Sequence, residues 1–143
     1  MKPLTHLFAS AIIAAALYPM FGWKAILVVA SGFLIDIDHY LWYIFKHKNI
    51  NIIDCYQYYI DGLDKEKYKK NLGILLIFHT IEFLLIMTAL SFYSDLFLLF
   101  TIGLLAHYLL DLIAIYNLAG HLIANHSVIN WLLNNKIEKA SKI

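Results

Sequence analysis

The sequence predicts an all-α membrane protein: a four-helix bundle with a short interfacial helix near its C-terminal end. Two observations carry that prediction. The 143 residues are 62% hydrophobic with a mean hydropathy of +0.69, against roughly 45–50% apolar usage in soluble domains. Four runs also approach the ~20 mostly apolar residues that a helix needs to cross a bilayer. Helices are one of only two ways to satisfy backbone polar groups in lipid, so four spans read as one membrane domain over residues 1–143.

The first span is expected at about residues 4–20, in LTHLFASAIIAAALY behind Met1 and Lys2. Its small residues near Ala14–Ala16 resemble a signal-peptide cleavage site, but it is read as a retained span. The second is expected at 25–45 and the third at 72–93, separated by a loop at 46–71 whose DGLDKEKYKK portion mixes both charge signs as a solvated surface does. The fourth is expected at 96–116. In the tail, 117–143, Val128, Ile129, Leu132 and Leu133 recur at helical spacing around Trp131 with lysines nearby, the pattern of a helix lying on a membrane surface.

All eleven basic residues are Lys, and with four spans only Lys24 falls on the far side. By the positive-inside rule that ten-to-one split places both termini in the cytoplasm and the chain in the cytoplasmic (inner) membrane. A net charge of +1 gives no reason to expect a nucleic-acid partner; membrane lipids are the expected one. Cys55 is the only cysteine, which excludes an internal disulfide.

The informative residues are the ionisable ones inside these apolar runs, where each is a functional hypothesis by default. They are His6, then Asp36, Asp38 and His39 in FLIDIDHYL, His79 and Glu82 in IFHTIEFLL, and His107 and Asp111 in GLLAHYLLDL. Asp36/His39 and His79/Glu82 are three apart and His107/Asp111 four apart, so each pair shares a helix face. Counted along the spans, all fall in the cytoplasmic half of the bilayer. Asp36, Asp38, Glu82 and Asp111 have no Lys or Arg beside them in the spans, and carboxylates in low dielectric must protonate or find a cation. Two or more divalent ions would balance them, and the His and carboxylate donors suit zinc or manganese. Asp38, two residues from Asp36, points elsewhere on the helix and is expected to orient a ligand His. His47 reads as interfacial and His121 and His126 as surface residues.

The set resembles the membrane-bound metal-dependent hydrolase family of bacteria and archaea, which combines an N-terminal His with PDIDH, HRGxTHS and GxxxHxxxD segments. Here His6, IDIDH at 35–39, FHT at 78–80 and GLLAHYLLD at 103–111 stand in that order, over roughly the first 115 residues. Ile35 replaces the proline, and Ile74, Leu75 and Leu76 stand where HRG would fall, the pattern of a divergent branch. More distantly the set is similar to the all-helical zinc phospholipase C and P1-type nuclease group. The resemblance implies phosphoester hydrolysis, with a phospholipid or lipid-linked phosphate as substrate.

On this reading His6, Asp36, His39, His79, His107 and Asp111 ligate metal, with Asp111 or Asp36 bridging. Glu82 is a further ligand or the general base. Two other expectations stand beside it: a proton or metal-ion carrier using the same residues as a relay, and a catalytically inactive protein with a structural metal.

Overall fold

The computed structural model describes residues 3–61, 75–119 and 127–133, and these are all-helical or in connecting turns. The elements are α1 (Pro3–Phe21), a 3-10 turn (Gly22–Ala25), α2 (Ile26–Leu34), α3 (Ile37–His47), α4 (Ile52–Asp61), a 3-10 turn (Ile77–His79), α5 (Ile81–Leu90) and α6 (Asp95–Ala119). A final short helix covers residues 128–133. His121, His126 and most of the DGLDKEKYKK stretch lie outside the described residues.

Two segments are long and apolar enough to cross a membrane, Pro3–His47, which takes in α1 to α3, and Asp95–Ala114 within α6. The runs expected as the first and fourth spans are thus helical, as α1 and α6. The other two differ from expectation in an instructive way. The 25–45 run is interrupted at Ile35 and Asp36, where the backbone tightens into a turn and His39 N–H bonds to the Asp36 carbonyl at 3.1 Å. In the described part of the 72–93 run, residues 75–93, a 3-10 turn comes first and α-helix begins at Ile81, because Thr80 is extended and caps α5 by accepting from Phe83 N–H. With ten residues, α5 is ~15 Å long, half the ~30 Å hydrocarbon core. The segment at 46–71, expected as a solvated and partly helical loop, contains helix α4, started by Asn51, whose side chain accepts from Ile53 N–H at 2.9 Å.

The packing inverts that of a soluble bundle. On α1 the buried stripe is His6, Ser10 and Ala14, while Leu4, Phe8 and Ile12 on the opposite face are 62–70% exposed. Leu85 and Ile86 of α5 and Leu109 and Ile113 of α6 also point outward, whereas Thr101 and His107 are buried. An apolar exterior of this extent is what contact with lipid requires.

Central α2 packs against both α1 and α6, and α5 lies along α6. Close approach depends on small residues, as in membrane helix pairs generally. A Cβ on Gly32 would stand 2.5 Å from Ser10 Cβ, and one on Gly103 would stand 2.1 Å from Ser31 Oγ and 2.3 Å from the Val28 carbonyl oxygen. The serine hydroxyls at these crossings donate to their own helices, Ser10 to His6 O at 2.7 Å and Ser31 to Leu27 O at 2.9 Å. Around them Ala14, Ala25, Val28 and Leu99 form one apolar cluster and Ile35, Met87 and Leu104 another.

Candidate metal centre

Interruptions and ends of helices present most of the functional side chains, and the middle of α6 presents the others. His6 lies one turn inside α1, so the rest of that helix extends ~22 Å beyond it. Asp36 occupies the break between α2 and α3, with Asp38 and His39 in the first turn of α3. His79 closes the 3-10 turn ahead of α5. His107 and Asp111 sit one turn apart on α6.

These elements bring seven of the eight expected residues to one place. His6 Nε2 is 3.2 Å from Asp111 Oδ1, and His107 Nε2 is 3.2 Å from Asp111 Oδ2. Asp36 Oδ1 lies 3.5 Å from both His79 Nε2 and His107 Nε2 and 3.7 Å from His39 Nε2. The two Nε2 atoms of His79 and His107 are themselves 3.0 Å apart. The rings of His6 and His107 stack at 3.9 Å. Donor atoms fall into three overlapping sets that could hold a metal ion: His6, His107 and Asp111; Asp36, His79 and His107; and Asp38, His39 and His79.

The outer faces of the two central imidazoles are fixed. His107 Nδ1 is 2.9 Å from the Gly32 carbonyl, which can only accept, so Nδ1 carries the proton. Gly32 is in the last turn of α2, where carbonyls lack a following helical turn to bond. His79 Nδ1 donates to Asp38 Oδ2 at 3.0 Å, and the same oxygen accepts Phe78 N–H at 3.1 Å. Nε2 of each ring therefore faces the other ring and the oxygens of Asp36 and Asp111, so that protons or a cation must lie among these atoms.

Three buried polar atoms have no partner among the described residues, His6 Nδ1, Asp38 Oδ1 and His39 Nδ1, and all belong to this cluster. Buried orphan groups are rare enough in folded proteins that their concentration here marks a place built for something beyond self-association. The donor set, imidazole nitrogens and carboxylate oxygens held from behind by a carboxylate and a carbonyl, could hold a metal ion.

The eighth residue, Glu82, is elsewhere. Its carboxylate accepts from Ser127 Oγ at 2.6 Å, Val128 N–H at 3.1 Å and Ile129 N–H at 3.3 Å, capping helix 128–133. The expectation that it shares a helix face with His79 fails because His79 lies in the 3-10 turn and Glu82 in α5, with extended Thr80 between them. Three carboxylates, not four, gather at the centre. His47, at the end of α3, stacks on Tyr43 at 4.7 Å, far along the helix from His39.

Two residues that the sequence did not single out support the centre. Tyr108 donates its hydroxyl to the carbonyls of Phe78 at 2.7 Å and Thr80 at 2.9 Å. Non-helical backbone at membrane depth is tolerated only when protein satisfies its polar groups, and Asp38 and Tyr108 do that for the segment bearing His79. Tyr59 of α4 donates to the His39 carbonyl at 3.0 Å and sets its ring edge-on to that imidazole at 4.8 Å. Neither carries a spacing signal; a tyrosine adjacent to a ligand His is too common to be informative.

Compared with family profiles, curated proteins and solved structures, the chain matches none of them, so the geometry above carries the functional argument.

Proposed function

We propose that the chain is a membrane-embedded hydrolase that uses two or more divalent ions, zinc or manganese, to cleave a phosphoester such as a phospholipid or lipid-linked phosphate at the cytoplasmic leaflet. The supporting observation is the convergence of His79 and His107 Nε2, 3.0 Å apart, on the carboxylates of Asp36 and Asp111. Nitrogen lone pairs and carboxylates repel one another at such distances unless a cation or protons lie among them. With Nδ1 of each ring bonded to Asp38 or to the Gly32 carbonyl, it is Nε2 that faces the cluster, the orientation of carboxylate–histidine–metal arrangements. The likeness to the membrane-bound metal-dependent hydrolases adds to this reading.

When bound, such ions activate water near neutral pH and polarise a phosphoryl group. The chain's own residues divide the remaining work. His6, His79, His107 and Asp111 would hold the ions, and Asp36, within 3.5–3.7 Å of three imidazoles, would supply a further carboxylate ligand. Asp38 and the Gly32 carbonyl fix ring orientation. Glu82, with both oxygens committed to residues 127–129, has no part in proton transfer here.

In this reading α1, the interrupted α2–α3 pair and α6 cross the bilayer, and α5 with the extended segment before it completes a fourth, broken crossing. Both termini face the cytoplasm of the inner membrane. Broken helices that place half-helix ends at a polar site are a known membrane solution. A through-membrane relay fits less well. Above the centre the buried polar side chains are Ser10, Ser31 and Thr101, each of whose hydroxyls bonds to a carbonyl of its own helix.

The test is metal content by elemental mass spectrometry of purified protein, wild type beside His107→Ala, with phosphoester turnover measured on both. Two or more ions per chain and turnover, both lost in the variant, are expected. Full activity without metal, or no bound metal after zinc supplementation, would overturn the proposal; bound metal without turnover on any phosphoester would leave a structural metal as the account.

A further inference from the structure

An apolar recess of about 150 Å³ lies beside the metal centre, lined by Ala30, Leu34, Ile35, Phe78, Phe83 and Phe100, with Ser31 at its floor. Ser31 offers it no polar group, because its hydroxyl donates to Leu27 O at 2.9 Å. Two of its walls are the immediate neighbours of candidate ligands: Ile35 precedes Asp36 and Phe78 precedes His79. The Phe78 N–H also bonds Asp38 at 3.1 Å, so the wall and the donor cluster share one rigid backbone. Leu34, 58% exposed, stands at the rim and joins the recess to the outward apolar surface of the bundle.

We propose that this recess is an acyl-chain subsite, which takes the first methylenes of a membrane lipid and so delivers that lipid's phosphoester to Asp36, His79 and His107. The inference rests on the phosphoester reading above and adds the substrate's second recognition element. A hydrocarbon chain fits because the lining has no polar partner to give and because the rim is continuous with lipid-facing residues. A soluble phosphoester would leave the recess unused.

The filling substitution is Ala30→Phe, which places a ring in the recess from α2 without touching a ligand. Metal-loaded full-length protein in detergent is assayed on p-nitrophenyl phosphodiesters carrying alkyl groups of one to eight carbons. For wild type, kcat/KM is expected to rise about fourfold per methylene until the recess is full, the factor corresponding to ~0.8 kcal/mol per buried CH₂. Ala30→Phe is expected to flatten that dependence while methyl-ester turnover and bound metal stay within twofold. An unchanged slope in the variant, or no slope in wild type, overturns the subsite.

A second readout does not depend on hydrolysis. Phosphatidic acid bearing a diazirine near the carboxyl end of one chain is photolysed in vesicles with the protein, and labelled peptides are mapped. Labelling at Phe78, Phe83 and Phe100 above that at Phe8 and Ile12, lost in Ala30→Phe, supports the subsite. Even labelling of recess and exterior overturns it. If no phosphoester is turned over yet the recess is labelled, the hydrolase reading falls and the lipid site stands.

Discussion

Replacing Asp38 by Asn tests the most specific part of the site's architecture, that a residue outside the central donor cluster sets the state of one inside it. Asp38 Oδ2 accepts from His79 Nδ1 at 3.0 Å and from Phe78 N–H at 3.1 Å. An asparagine oxygen can occupy the same position and keep both bonds, so the substitution removes charge more than geometry. What is lost is the electrostatic preference for Nδ1–H, and with it the basicity of Nε2. Partners of this kind are worth about 10–100-fold in metal affinity, or ~1.4–2.7 kcal/mol. Asp38→Ala removes both acceptors, and the freed Phe78 N–H adds ~1–3 kcal/mol of destabilisation. The assay is zinc competition against a chromophoric chelator, with thermal unfolding of each variant in the same detergent. Affinity of Asp38→Asn within twofold of wild type would refute the positioning role. A loss beyond about a thousandfold would refute it in the other direction, by making Asp38 a direct ligand.

Further outcomes follow from the packing and the site. Gly103→Ala should destabilise by ~1–3 kcal/mol or more and resist rescue by Ser31→Gly, because the Val28 carbonyl would still lie 2.3 Å from the new Cβ. Gly32→Ala should be rescued by Ser10→Gly, since the close atoms there belong to the Ser10 side chain; paired thermal melts check both. Tyr108→Phe should cost ~1–2 kcal/mol in stability and weaken metal binding, because it frees the Phe78 and Thr80 carbonyls; unchanged stability and affinity would show that the His79 segment does not need that hydroxyl. Metal should dissociate as the pH falls, since protons compete for each ligand nitrogen; dialysis at stepwise lower pH followed by elemental analysis reads the midpoint. Burial pushes the Cys55 thiol above its ordinary range, so less thiolate is present at neutral pH and maleimide labelling should be slow until the protein is unfolded.

The outer helices were legible because their signal is length and apolarity, which is local. The 72–93 run was not read correctly, since nothing in its composition shows that Thr80 would leave the helix and start a new one. The same limit explains Glu82. Its spacing from His79 implies a common face only if the helix is continuous, and a 3-10 turn followed by an extended residue breaks that inference. The break at Ile35–Asp36 carries neither proline nor glycine, so periodicity ran through it.

By itself the sequence determined that the chain is helical and apolar, and which ionisable side chains stand in its apolar runs. It determined their pairing too where helix is continuous, as for His107 and Asp111, because an interval of four residues fixes a face whatever the surroundings. Only the tertiary structure decided which of these residues meet, that Asp38 holds His79 while Glu82 caps residues 127–129, and that Tyr108 secures the segment between them. Those contacts join residues 28 to 45 positions apart. Such distances are set by how helices cross at Gly32 and Gly103, where the absence of a Cβ lets backbones approach.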